Sequence, residues 1–122
     1  MKKKILVVDD DREMTMLIRE MLRATGHDIF IVHDGLQAIQ KSKEEEIDLI
    51  LLDIRMPFFS GLFFCDAFKQ RRETKNAPVI VISALSSDED IKKAYERGAS
   101  AYLKKPFESD ELLKVIEKFL AD

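Results

Sequence analysis

Five short apolar runs, each followed by apolar residues at helical spacing, constrain the fold of this 122-residue chain more than any other feature. The runs are Ile5–Val8, Ile29–Val32, Leu49–Leu52, Val79–Ile82 and Ala101–Leu103. Uninterrupted apolar runs of this length are typical of strands that are buried on both faces. Strict alternation of such strands with helices predicts an α/β fold, in which helices cover both faces of a five-stranded parallel sheet.

Capping residues and glycines predict where the intervening helices begin and end. The expected N-caps are Asp11, Asp34, Ser87 and Ser109, and the expected stops are Gly26 and Gly98. The third helix is expected from Gly61 to Arg72. Because the chain contains no repeat and no linker-like segment, it is expected to form one domain over residues 1–122 with five helices.

Composition excludes several classes of function. The net charge is −3, so no general attraction to nucleic acid or to an acidic membrane surface is expected. Cys65 is the one cysteine, which excludes an internal disulfide and a cysteine metal cluster. No apolar run approaches the length of a membrane span, and we expect a cytoplasmic protein.

Reactive side chains follow the predicted strands at the points where the strands end. Asp9, Asp10 and Asp11 follow the first strand, Asp53 the third, Ser83 the fourth and Lys105 the fifth. In parallel sheets these ends lie at one edge, where ligands bind. Carboxylates suit Mg²⁺, an ammonium group steadies phosphoryl oxygens, and an aspartate can accept a phosphoryl group. The set therefore predicts a phosphoryl-transfer site.

Four motifs in order give the chain a family resemblance. They are VVDDD at 7–11, LLDIRMP at 51–57 followed by Gly61, VIVISA at 79–84 and GASAYLKKPF at 98–107. The sequence resembles the receiver domain of two-component response regulators, of the stand-alone chemotaxis type. The resemblance implies a doubly wound, flavodoxin-like sheet with strand order 2-1-3-4-5.

The resemblance also implies a role for each matching residue. Asp53 matches the phosphoacceptor. The implied Mg²⁺ ligands are Asp9, Asp10, Asp53 and the backbone carbonyl of Arg55. The implied phosphate-binding groups are Ser83, the backbone of Ala84, and Lys105, which directly precedes a proline and is expected to form a cis peptide bond with it. Ser83 and Tyr102 match the residues that move on activation.

The function implied by the resemblance is signalling. A sensor histidine kinase or a phosphotransfer protein would donate the phosphoryl group from a phosphohistidine, with Mg²⁺ as cofactor. The modified domain would then present a changed surface to a downstream protein or to a second copy of itself. No nucleic-acid or membrane partner is expected, and no enzymatic activity beyond phosphorylation and dephosphorylation of the chain itself.

Other readings of the same residues are possible. Asp9-Asp10-Asp11 also fits the Asp-x-Asp motif of haloacid-dehalogenase-like phosphatases, in which Asp9 would be the nucleophile, but Glu13 stands where that motif usually has Thr or Val. A flavin-binding module would want a phosphate loop in place of three carboxylates. A receiver that only binds partners would not need the full acid, hydroxyl and lysine set. His27 and His33 follow no metal-ligand spacing and are assigned no role.

The aromatic stretch FFSGLFFCDAF at 58–68 is distinctive to this chain. Helical spacing places Phe64, Cys65 and Phe68 on one stripe that should pack on the sheet. Phe63 is rotated off this stripe and should face water. With Phe58 and Phe59 it is predicted to form a docking patch beside Asp53, unless Phe58 or Phe59 folds over the site as a lid.

Overall fold

The computed structural model describes residues 2–55, 61–85 and 87–121 of the chain. Its strands are β1 (Lys4–Val8), β2 (Asp28–Val32), β3 (Leu49–Leu52), β4 (Val79–Ser83) and β5 (Ala101–Lys104). Its α-helices are α1 (Arg12–Leu22), α2 (Gly35–Glu44), α3 (Gly61–Gln70), α4 (Asp88–Glu96) and α5 (Ser109–Leu120), and one 3₁₀ turn, Arg23–Thr25, extends α1. None of the helices within these ranges is long and apolar enough to cross a membrane.

The strands form one parallel sheet in the order β2-β1-β3-β4-β5, as the sequence and its resemblance predicted. The last residues of the three adjacent strands are in register, since Val8 pairs with Val32 on one side and with Leu52 on the other. The residues that follow these strands therefore emerge side by side at one edge.

Helices cover both faces of the sheet, and each face has its own apolar core. Along β1, Leu6 and Val8 belong to the core under α2, α3 and α4, whereas Ile5 and Val7 belong to the core under α1 and α5. This alternation follows from the two-residue period of a strand. The strands that lead to the site are therefore packed between two buried apolar layers.

A close approach between α2 and α3 depends on Gly35, the first residue of α2. A Cβ atom built on Gly35 would lie 2.2 Å from a ring atom of Phe64, which is buried. The hydrogen side chain of glycine therefore lets the Phe64 ring enter the core at this point. Cys65 and Phe68 are buried with Phe64, and Phe63 is 56% exposed, so the predicted stripe is confirmed.

The helix boundaries confirm most of the predicted caps and correct two details. Asp11, Asp34 and Ser87 each accept a backbone N–H bond as N-caps, and Gly26 and Gly98 adopt positive φ angles of 76° and 103° at the predicted stops. The N-cap of α5 is Glu108, not Ser109, and its backbone N–H donates to the Glu111 carboxylate over 3.0 Å. The third helix ends at Gln70, not at Arg72.

Candidate functional site

The ends of β1 and β3 bring two buried carboxylates together. Asp9 and Asp53 follow these strands directly and are 2% and 6% exposed. The Asp53 N–H donates to the Val8 carbonyl over 3.0 Å, and the Asp9 N–H donates to the Val32 carbonyl over 3.2 Å. Both backbones thus continue the sheet for one more residue, which fixes where their side chains begin.

Asp9, Asp10 and Asp53 form an acid cluster whose ligand oxygens all lie within 4.8 Å of one another. Asp10 is exposed, so the cluster opens to solvent on one side. Asp9 accepts the Asp11 N–H over 3.0 Å, and Asp53 accepts the Arg55 N–H over 2.9 Å. Three converging carboxylates with open access fit a hard divalent cation, which binds oxygen ligands and retains water.

Lys105 places one ammonium group against this cluster. Its Nζ donates to Asp9 Oδ2 over 3.1 Å and to Asp53 Oδ2 over 3.3 Å, and its side chain is 16% exposed. Burial alone would lower the pKa of Lys105, but Asp53 and Asp9 outweigh burial and raise it above its usual value. The Lys105–Pro106 peptide bond is cis, as the resemblance implied.

The Asp53 carboxyl lies in an electrostatically unfavourable place. The pKa of Asp53 is raised from 3.8 to about 6, and burial is the largest cause of this rise. The Arg55 N–H opposes this rise, the Asp9 carboxylate adds to it, and the Lys105 ammonium opposes it. A buried carboxylate with a raised pKa and solvent-side access has the properties of a reactive group.

Ser83, the last residue of β4, and Tyr102, within β5, carry hydroxyl groups that both bond Leu85. Ser83 is fully buried, and its Oγ accepts the Leu85 N–H over 3.0 Å. The Tyr102 hydroxyl donates to the Leu85 carbonyl. Burial raises the pKa of Tyr102, so this hydroxyl keeps its proton. The backbone N–H and the backbone carbonyl of Leu85 are therefore both bonded, one by a side chain of β4 and the other by a side chain of β5.

Of the remaining predicted site residues, Arg55, Ala84 and Phe63 lie within the described ranges. Arg55 and Ala84 are exposed and directly flank the strand-end groups. Phe63 makes an edge-to-face contact with Phe64, with 5.2 Å between the ring centroids. Phe58 and Phe59, both in the predicted docking patch, fall outside the residues that the structure describes.

His33 belongs to the surroundings of the site, which the sequence interpretation missed. Its Nδ1 lies 3.0 Å from the Asp9 main-chain carbonyl, and its Nε2 lies 3.3 Å from Nη1 of Arg12. Residue spacing gave no signal for this contact. The strand order could have found it, because β2 adjoins β1 and His33 directly follows β2.

The sequence matches the response regulator receiver domain family over residues 5–117. The chain belongs to this family. It is 43% identical to the transcriptional regulatory protein CpxR of Escherichia coli K12 over 117 residues, which are 96% of this chain and 49% of CpxR. The chain thus spans about half the length of that curated relative.

Two further comparisons cover whole chains. The polar-differentiation response regulator DivK of Brucella ovis is 30% identical over 122 residues, which are 100% of this chain and 99% of DivK. The crystal structure of the receiver domain of sensor histidine kinase PA1611 from Pseudomonas aeruginosa PAO1 is 27% identical, with a TM-score of 0.90 and full coverage of both chains. That receiver domain holds a magnesium ion in its active-site cleft.

Family membership decides between the two phosphoryl-transfer readings. The chain is a signalling receiver domain of the two-component type and not a haloacid-dehalogenase-like phosphatase. In the structure the carboxylate oxygens of Asp9 accept from Lys105 and from the Asp11 N–H, and Asp11 is the N-cap of α1.

Proposed function

We propose that residues 1–122 form one receiver domain that accepts a phosphoryl group on Asp53. The observation that carries this assignment is the convergence of Asp53, Asp9, Asp10 and Lys105 at one edge of the sheet. The donor is the phosphohistidine of a sensor histidine kinase or a phosphotransfer protein. A small acyl phosphate can replace the phosphohistidine as donor in vitro.

The chemistry assigned to Asp53 is a phosphoryl transfer between a nitrogen and a carboxylate oxygen. A carboxylate oxygen of Asp53 forms the new P–O bond while the P–N bond to the donor imidazole breaks, and the imidazole recovers a proton from solvent. Lys105 donates to a phosphoryl oxygen, a charge-assisted bond that offsets the growing negative charge. The backbone of Ala84 lies beside Ser83 and supplies a further donor.

Mg²⁺ is the proposed cofactor. The three carboxylates of the acid cluster fit its ligand preference, and the Arg55 carbonyl, two residues beyond Asp53, is the proposed fourth protein ligand. When bound, the cation neutralises charge on the carboxylates and on the phosphoryl oxygens. The acid cluster provides the ligands for the cation. Lys105 lowers the pKa of Asp53 and so favours the ionised carboxylate that reacts.

The response to phosphorylation is proposed to run through Ser83 and Tyr102. If the Ser83 side chain rotates to bring its hydroxyl to a phosphoryl oxygen, its Oγ moves away from the Leu85 N–H that it now binds. Tyr102 holds the carbonyl of the same residue, so its hydroxyl is released or reoriented with that segment. In NMR with a beryllofluoride mimic, shifts should extend to residues 94–103. Shifts confined to the acid cluster would contradict this response.

The proposed partners are a donor for the phosphoryl group and a protein that recognises the phosphorylated domain. We place the protein in the cytoplasm with a histidine kinase or phosphotransfer donor, without a nucleic-acid or membrane partner for this domain, and with no enzymatic activity beyond its own phosphorylation and dephosphorylation.

Phe58, Phe59 and Phe63 form the proposed docking patch for a downstream protein or a second copy. Phe63→Ser should weaken self-association or partner binding, measured by sedimentation, while changing the free energy of unfolding by less than about 1 kcal/mol.

Intact-mass spectrometry with acetyl phosphate tests the phosphoacceptor assignment. The wild-type chain should gain one phosphoryl group with Mg²⁺ and none in excess EDTA, and Asp53→Asn should gain none. Ser109→Ala is a matched control, because Ser109 lies on α5 and is not the N-cap. Labelling of Asp53→Asn at the wild-type level, or mapping of the modified peptide to Asp9, would overturn the assignment.

A further inference from the structure

His33 contacts the backbone of the acid cluster from the neighbouring strand. We propose that His33 is a positioning residue for Mg²⁺ binding: its ring holds the main-chain carbonyl of Asp9 and so orients the carboxylate of Asp10. The inference rests on the proposed function in one respect, namely that the acid cluster binds the cation.

The hydrogen-bond partners of the His33 ring define its tautomer. The Asp9 carbonyl can only accept, so Nδ1 carries the proton and donates over 3.0 Å. The Arg12 guanidinium can only donate, so Nε2 accepts from Nη1 over 3.3 Å. Arg12 thus acts from the start of α1 to keep the proton on the nitrogen that faces Asp9. The His33 backbone is also held, because its N–H donates to the Gln37 side chain over 2.8 Å.

The peptide bond that leads into Asp10 is therefore fixed by β2. The Asp9 N–H donates to the Val32 carbonyl, and the Asp9 carbonyl accepts from the His33 ring. The Asp9 side chain is held independently by Asp11 and Lys105. Asp10, in contrast, is exposed, so the orientation of the preceding peptide is the main constraint on where its carboxylate lies. Loss of the His33 bond should let Asp10 swing away from its two negatively charged neighbours.

Two substitutions separate this role from simple packing. An Asn side chain places an N–H donor where the Nδ1–H of histidine lies, whereas Leu keeps apolar bulk and removes the donor. His33→Asn should therefore keep Mg²⁺ affinity within about twofold of wild type, and His33→Leu should lose roughly tenfold, at the low end for outer-shell partners of metal sites. A packing role predicts the reverse order.

The measurement is calorimetric titration of Mg²⁺ into the wild-type chain and both variants, with melting temperatures in EDTA as the check on folding. Equal affinity of His33→Leu and wild type would overturn the positioning role and leave the proposed function standing. No saturable binding to wild type would overturn both.

The tautomer gives a second readout that does not depend on Mg²⁺. In mildly alkaline buffer, imidazole ¹⁵N shifts should show the Nδ1–H form for His33 in the wild-type chain, and Arg12→Met should shift the population toward Nε2–H. An Nε2–H ring in wild type would contradict the proposed hydrogen bond to Asp9.

Discussion

Near the carboxyl edge of the sheet, carboxylates follow β1 and β3, whereas Ser83 at the end of β4 and Tyr102 within β5 carry hydroxyl groups. We call Asp9, Asp10 and Asp53 the acid half of this edge and Ser83 with Tyr102 the hydroxyl half. In the hydroxyl half each hydroxyl bonds a backbone group of Leu85. In the acid half three carboxylates face the ammonium group of Lys105, so within the described residues the negative charges outnumber the positive charge that contacts them.

This difference separates two ways of building a site. Neutral polar groups are stable when buried if they find hydrogen-bond partners, so the hydroxyl half stabilises one conformation without a ligand. Buried like charges repel, and the acid half remains unfavourable until a cation arrives. The acid half therefore serves binding, and the hydroxyl half serves the conformational response.

Lys105→Met should have the largest effect. It removes the ammonium group shared by Asp9 and Asp53 and leaves buried carboxylates without their cation, at a cost of about 3 kcal/mol in the free energy of unfolding. Urea unfolding in EDTA near pH 7 measures this cost. The matched control is Lys104→Met, because Lys104 is exposed and should change stability by less than about 0.5 kcal/mol. Equal effects of the two variants would show that Lys105 does not compensate the acid half.

Asp53→Asn should stabilise the folded chain near pH 7 by roughly 2 to 3 kcal/mol, since the pKa of Asp53 is raised by about two units and one unit corresponds to about 1.4 kcal/mol. The pKa of Asp53 is raised from 3.8 to about 6 in the folded state, so the folded state binds this proton more tightly than the unfolded state. This contribution to stability is complete below the unfolded pKa and is lost as pH rises through about 6.

The advantage of Asp53→Asn over wild type should therefore shrink as pH falls from about 6 toward about 4. Urea unfolding of both proteins across that range, in EDTA, measures the trend. An advantage that is constant with pH, or that grows as pH falls, would mean that the carboxyl is not strained in the folded state.

The hydroxyl half should respond in the opposite direction. Ser83→Ala leaves the Leu85 N–H without its acceptor and should lower the free energy of unfolding by about 1.5 kcal/mol, and Tyr102→Phe should lower it by about 1 kcal/mol. Neither loss should depend on Mg²⁺, because neither hydroxyl belongs to the acid cluster. Urea unfolding with and without Mg²⁺ tests this, and stabilisation by either substitution would remove the contrast between the two halves.

The sequence predicted the fold and most of the edge because both depend on simple patterns. Uninterrupted apolar runs identified all five strands, and their parallel alignment brought Asp9, Asp53 and Lys105 to one edge. Polar residues directly after such runs lie at the carboxyl edge of the sheet, so their position follows from the ends of the strands. The strand order itself came from the family resemblance, since periodicity does not specify which strands are neighbours.

The features that the sequence did not predict depend on side-chain choices in three dimensions. At the start of α5, Glu108 and Glu111 form a capping box, and Glu108 is the N-cap in place of the predicted Ser109. His33 lies at the end of an edge strand, and its bonds to Asp9 and Arg12 join parts of the chain that are more than twenty residues apart. No local spacing encodes such a contact.

Thermal unfolding of Asp10→Asn and wild type, each in EDTA and in Mg²⁺, tests most directly whether the acid half is a strained site that a cation relieves. Asp10 is the exposed member of the cluster, so its substitution leaves the buried pair with Lys105 intact. In EDTA, Asp10→Asn should melt at or above the wild-type temperature, with a free energy of unfolding higher by up to about 1 kcal/mol, and it should lose the rise in melting temperature that Mg²⁺ gives wild type. A variant that is clearly less stable than wild type in EDTA, and still gains stability from Mg²⁺, would contradict this prediction.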